Sequence, residues 1–208
     1  MGYTAEDFAK ESNVSRETLA DYELWLAHLL KWNRKINLVS PSALDDFWRR
    51  HALDSWQITP HMPEKAHRFI DLGSGAGFPG IALAIAAKYQ NPDSQVLMVE
   101  SAGKKTSFLK TVIRDLKLPA KATSERAETL EAKPYDVVSA RAFAPLDRLF
   151  NYAQPFWGED TIGLFLKGGN IEAELTEADK SWKYFHELIP SLSDSTGCIV
   201  KITGLSLK

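Results

Sequence analysis

The residues at 69–80, FIDLGSGAGFPG, have types and spacing suited to holding an adenosine-containing cofactor. Phe69 and Ile70 read as the end of a strand, with Asp71 at its tip. Gly73, Gly75 and Gly77 then let the backbone turn sharply and approach a ligand with no Cβ in the way. Pro79 fits the first turn of a following helix, where no amide hydrogen is needed. Glu100 ends the next apolar run, where a carboxylate can accept both hydroxyls of a ribose.

Two cofactor classes compete for this loop. Gly75, Gly77 and Gly80 spell the G-x-G-x-x-G fingerprint of dinucleotide sites. The tight turn, however, falls at Gly73, and in that register Phe78 takes the third glycine position. Asp71 points instead to S-adenosylmethionine, whose methionine half an acid at the strand end serves, often through water. An NAD-dependent oxidoreductase stays as the alternative.

Two later stretches add to the pocket. SERAETL, residues 124–130, places Glu128 near the adenine end with Arg126 and Ala127 beside it; the bland alternative is a solvated loop. In YDVVSARAFAPL, Ser139 and Arg141 follow an apolar strand. They should emerge at the carboxyl edge of the sheet, where open α/β sheets bind ligands.

The elements that must position these residues follow from periodicity. After Ser15, a fitting N-cap, Leu19, Tyr22, Trp25, Leu26, Leu29, Trp32 and Ile36 recur at three- and four-residue steps, one face of a helix. Pro41 and Ser42 open a second helix with Leu44, Phe47, Trp48 and Leu53. From His67 short apolar runs alternate with helical ones, which predicts βαβ units around a parallel sheet. KYFHELI and GCIVKI have no helix between them and read as a closing antiparallel hairpin. That ending is usual in methyltransferase sheets. The predicted fold is therefore α/β, a Rossmann-like doubly wound sheet of the class I methyltransferase kind with a terminal antiparallel hairpin. A helical extension at 1–63 precedes the cofactor-binding domain at 64–208.

Composition narrows the function. With 208 residues, 44% hydrophobic and 25% charged, the chain can close one ordinary core. No run reaches the roughly 18 apolar residues of a membrane span, and the polar N-terminus does not read as a signal peptide. One cysteine, Cys198, excludes an internal disulfide and a thiolate zinc cluster. A reducing cytoplasm and a metal-free site are the expectation. A formal charge of −2 means that any nucleic acid must be held by local clusters rather than by bulk charge.

WNRKINLVS, RRHALDSW, FIDLGSGAGFPGIALAI, the RAE of residues 126–128, SARAFAPL and LKGG together resemble the small-subunit ribosomal RNA methyltransferase G family, once called glucose-inhibited division protein B. The match runs in order from about Leu29 to Gly169. The resemblance implies methylation of N7 of one guanosine in 16S ribosomal RNA, with S-adenosylmethionine as donor and S-adenosylhomocysteine as product. It implies that Gly73 and Phe78 line the cofactor pocket and that the backbone around Ala127 and Glu128 frames the adenine. Arg141, the one candidate catalytic residue, would touch the cofactor or the target nucleotide. One departure stands in this chain: Glu100-Ser101-Ala102 replaces the Asp-Ser-Leu of many relatives, and Glu is chemically adequate for the ribose contact.

What the sequence omits agrees with attack by a ring nitrogen. Carbon-5 methylation of a pyrimidine needs a cysteine nucleophile, and Cys198, inside CIVKI, reads as core. Exocyclic amine methylation uses Asn or Asp before Pro-Pro, where this chain has Ser139-Ala140-Arg141. RNA contacts are expected from Lys35, Arg50, Lys104, Lys105, Arg148 and Lys167, with Lys31, Arg34, Arg49 and His51 nearby; about half could be merely solvated faces. His51 and Asp54, three apart, suggest a contact that orients the imidazole. Trp25, Trp32, Trp48 and Trp56 read as core. A small ribosomal subunit partner, no membrane and a monomer complete the expectation. A non-catalytic ribosome-assembly module is the remaining rival.

Overall fold

The computed structural model describes residues 2–208. Its centre is a seven-stranded sheet of order β3-β2-β1-β4-β5-β7-β6. The strands are β1 (Arg68–Leu72), β2 (Gln95–Val99), β3 (Ala120–Thr123), β4 (Val137–Arg141), β5 (Ile162–Lys167), β6 (Trp182–Pro190) and β7 (Cys198–Leu207). The first five pair in parallel, and β7 enters antiparallel between β5 and β6. The strand order reverses between β1 and β4. A crevice opens there at the carboxyl ends, which is where such sheets take ligands.

The helices are α1 (Ala5–Ser12), α2 (Arg16–Asn33), α3 (Pro41–Asp45), α4 (Asp54–Trp56), α5 (Gly80–Gln90), α6 (Gly103–Asp115), α7 (Leu146–Ala153) and α8 (Ile171–Ala178). Ser15 caps α2 as expected, its hydroxyl accepting the Thr18 amide at 3.1 Å. The helix stops before Ile36, because the Asn33 side chain turns the chain by accepting the amides of Leu38 and Val39. The second expected helix is divided. Between α3 and α4 lies a π-helical stretch, Trp48–Leu53, in which the Asp54 amide reaches back five residues to the Arg49 carbonyl. Such widened turns concentrate at functional sites.

Helix α5 is buried along its length from Gly80 to Ala87 and has no polar face there. A helix apolar all round must be covered on all sides. The sheet covers one side and the N-terminal helices cover another, so Phe8, Tyr22, Trp25, Phe47 and Trp56 share one core with Ile81, Leu83 and Ile85. Each large side chain sealed in this way contributes about 1.5–3 kcal/mol of burial free energy. Lys88 on α5 ties the layers together, pairing with Asp21 of α2 at 2.7 Å. Among the described residues no helix is long and apolar enough to cross a membrane.

Candidate active site: two cavities at the strand ends

The glycine loop leaves β1 with Gly73, Gly75 and Gly77 at positive φ (70°, 56° and 97°), a region open chiefly to glycine. Asp71 lies beneath the loop, fully buried. Its carboxylate accepts the Gly80 amide at 3.1 Å and the Ser139 hydroxyl at 2.8 Å. Burial lifts its pKa to about 6, against the hydrogen bonds that favour the anion. Asp71 therefore braces the start of α5 and does not reach the cavity. Ser139, expected at the sheet edge, is fully buried as its partner.

Glu100 holds the loop from the other side. One carboxylate oxygen accepts the Gly75 amide at 3.0 Å, the other the Ala102 amide at 2.8 Å. It lines a cavity of about 290 Å³ with Gly73, Ala127, Glu128, Phe143 and Tyr152. Each carboxylate oxygen keeps a second lone pair, the capacity a ribose diol requires. Gly77 packs into the core, where a Cβ would meet Ile81 at 2.3 Å. Pro79 is the N-cap of α5 rather than a first-turn residue.

A second, larger cavity of about 510 Å³ adjoins the first, and the two share Ala142 and Phe143. Arg50, Asp54, Arg141, Lys167, Glu174 and Cys198 are among its walls. Arg141 is the hub. Its Nη1 donates to Asp54 Oδ2 at 2.7 Å and to the Arg50 carbonyl at 3.0 Å, and its Nη2 donates to His51 Nδ1 at 2.9 Å. Below the guanidinium lies Phe78, 5.3 Å away and stacked on His51 at 4.2 Å. Burial, with Arg141 and Arg50 adding repulsion, drives the His51 pKa down to about 3. The neutral ring thus accepts at Nδ1 and carries its hydrogen on Nε2.

A family model described as rRNA small subunit methyltransferase G matches residues 18–196. The chain belongs to that family. A ribosomal RNA small subunit methyltransferase G from Parvibaculum lavamentivorans is 48% identical over 97% of this chain and 89% of its own length. One from Rhodospirillum rubrum is 45% identical over 96% of both. A TehB-like SAM-dependent methyltransferase from Corynebacterium glutamicum shares the fold, with a TM-score of 0.55 at 13% identity over 72% of this chain and 86% of that one. The relatives favour neither the oxidoreductase nor the assembly-module alternative.

Within this family member, Gly73, Glu100, Ala127 and Glu128 gather around the smaller cavity, while Asp71, Gly77 and Phe78 do not line it. Phe78 is a core residue, 8% exposed, that supports Arg141 from below. Gly75 shapes the loop and offers its amide to Glu100. Of the expected RNA contacts, Arg50 and Lys167 meet Arg141 at the larger cavity; Lys35, Lys104, Lys105 and Arg148 line neither. Lys167 is ion-paired with Glu174 at 2.6 Å and donates to the Ala144 carbonyl at 2.8 Å. His51 and Asp54 meet only through the backbone, the Asp54 amide reaching the His51 carbonyl, and the side chains of both hold Arg141. Cys198 is half-buried, packed against the core and also on the cavity wall.

Sequence reasoning missed Ala142, Phe143, Glu174, Gln57 and Ser193. Gln57 Nε2 donates to Asp54 Oδ1 at 3.0 Å, and Ser193 Oγ donates to the same oxygen at 2.5 Å. The aromatic directly after Arg141-Ala142 was the one readable signal among them.

Proposed function

We propose that this protein transfers a methyl group from S-adenosylmethionine to N7 of a guanosine in 16S ribosomal RNA. The observation that carries the reading is the pair of abutting cavities. One is built around an amide-pinned carboxylate and the other around an arginine, at the switch point of the sheet. Glu100 would hold the ribose, Gly73 the methionine half, and the backbone at Ala127 and Glu128 the adenine. When bound, the cofactor supplies an electrophilic methyl on a sulfonium.

Guanine N7 carries an in-plane lone pair and no hydrogen, so no general base is required. The work left to the protein is alignment. Arg141 fits that task, since its guanidinium is fixed by three protein acceptors and faces the larger cavity. Cys198 is unsuited to nucleophilic attack, because burial and then Glu174 push its thiol up.

RNA would approach across Arg50 and Lys167 at the cavity, with Lys35, Lys104, Lys105 and Arg148 as outlying phosphate contacts. We assign residues 1–63 to a helical extension and 64–208 to the cofactor-binding domain, and place the protein in the cytoplasm as a monomer. The test is methyl transfer to small subunits from a strain lacking the gene, with nucleoside mass analysis of the product. N7-methylguanosine is expected. Absence of label, or calorimetry in which NAD binds and S-adenosylhomocysteine does not, would end this reading.

A further inference from the structure

The two cavities have only Ala142 and Phe143 in common. Ala142 is in the left-handed region, φ 50°, a conformation that a residue with a Cβ adopts at a cost of about 1 kcal/mol or more. That reversal folds Phe143 back over the glycine loop. Its ring stands so close to Gly73 that a Cβ there would meet Phe143 Cδ2 at 2.2 Å. Tyr152 packs edge-on against the same ring, centroids 5.0 Å apart at 70°. Gly73 and Tyr152 line the smaller cavity only. The ring is thus braced from the cofactor side, half-buried, and it forms part of the wall of the larger cavity.

We infer that Phe143 is the platform on which the acceptor purine stacks, presented by the strained Ala142 turn and backed by Gly73 and Tyr152. This rests on the proposed function and adds a positioning residue to it. A flat aromatic wall is sequence-tolerant toward purine faces and gives about 1–3 kcal/mol per stacked base. Methyl transfer needs sulfur, methyl and N7 in line with nothing between them. A ring held against Gly73 can set the plane of the base from beside that line. Arg141 and Arg50, on the walls of the same cavity, are left to read polar edges or phosphate.

The test compares wild type with F143L, which keeps an apolar filling without a π-face, and F143Y, which restores the ring. Three readouts are needed: calorimetry with S-adenosylhomocysteine, saturation-transfer NMR with guanosine monophosphate in its presence, and single-turnover methyl transfer to unmodified small subunits. In F143L methyl transfer should slow on the order of 10- to 100-fold beyond any change in S-adenosylhomocysteine affinity, the span of one lost stack. Transfer to guanosine monophosphate should fall in F143L and return in F143Y. Wild-type turnover in F143L, nucleotide contacts indifferent to residue 143, or a loss of S-adenosylhomocysteine binding that accounts for the whole defect would each overturn the platform. Wild-type enzyme that transfers no methyl would instead remove the proposed function, and the nucleotide NMR would still decide for or against the platform.

Discussion

Arg141 at the end of β4 and Asp54 in the N-terminal segment form a salt bridge of 2.7 Å between two largely buried side chains. The π-helical turn makes this junction. It carries the Asp54 amide to the Arg49 carbonyl rather than to that of Arg50, and the Arg50 carbonyl accepts Arg141. Asp54 also receives Ser193 from the β6–β7 loop, so one carboxylate joins helix segment, sheet and hairpin. Removing one partner of a buried pair leaves an uncompensated charge, at about 3–5 kcal/mol when burial is complete. Both side chains keep some exposure, 21% and 17%, so Arg141→Ala should lose about 2–3 kcal/mol of stability. The substitution therefore acts on the fold as well as on turnover. A denaturant double-mutant cycle with Asp54→Asn checks it; coupling below about 0.5 kcal/mol would break the assignment.

Glu100→Gln tests the cofactor side. The two amides that Glu100 accepts are charge-assisted, and an amide side chain can satisfy only one of them with its oxygen. Loss of charged acceptance toward both loop and ribose should weaken S-adenosylhomocysteine binding by about 1.5–3 kcal/mol, on the order of 10- to 100-fold. Calorimetry measures this directly, and unchanged affinity would remove Glu100 from the pocket.

Much of this was legible in the chain, for definite reasons. The alternation from His67 onward reports strands and helices through burial period, and the terminal hairpin follows from the missing helix between KYFHELI and GCIVKI. Glu100 and Gly73 were readable because the backbone itself dictates their types. The place of Phe78 was not legible because a residue beside a glycine turn can face the cofactor or the core, and spacing does not tell which; its ring lies buried and stacked on His51 from a distant segment. The π-turn was invisible because WRRHALDSW has the same apolar period whether one amide skips a residue or not. Asp71 and Ser139 satisfy each other across two strands, and no local pattern reports such a pairing.

The acid side of the stability profile should carry two opposed contributions. The folded pKa of Asp71 is about 6, above the ordinary carboxylate value of 3.8. The folded state therefore holds more protons between those values, and this group's stability is present below pH about 4 and lost as pH rises through about 6. His51 is the reverse: its folded pKa is about 3 against 6.5. Its contribution is present above pH about 6.5 and is lost on acidification toward pH 3. Asp71→Asn should remove the first slope and leave the second. Urea midpoints from pH 4 to 7 for both proteins check this; identical profiles would mean that Asp71 is not the buried acid described.

Gly73→Ala probes the contact on which the partition between the cavities depends. The substitution places a methyl group 2.2 Å from Phe143 Cδ2 and requires φ 70° of a residue with a Cβ. The ring must move, and its bracing by Tyr152 moves with it. The strained backbone costs about 1–2 kcal/mol, while displacement of the ring should disturb both cavities together. Gly75→Ala is the matched control. It carries a similar φ penalty, but its Cβ would come no closer than 3.9 Å to any neighbour. Gly73→Ala should lose more stability than Gly75→Ala, by the cost of moving the ring, and its methyl transfer should fall several-fold further. Equal kinetic losses would show that backbone strain alone governs the loop and that Phe143 has no part in the reaction.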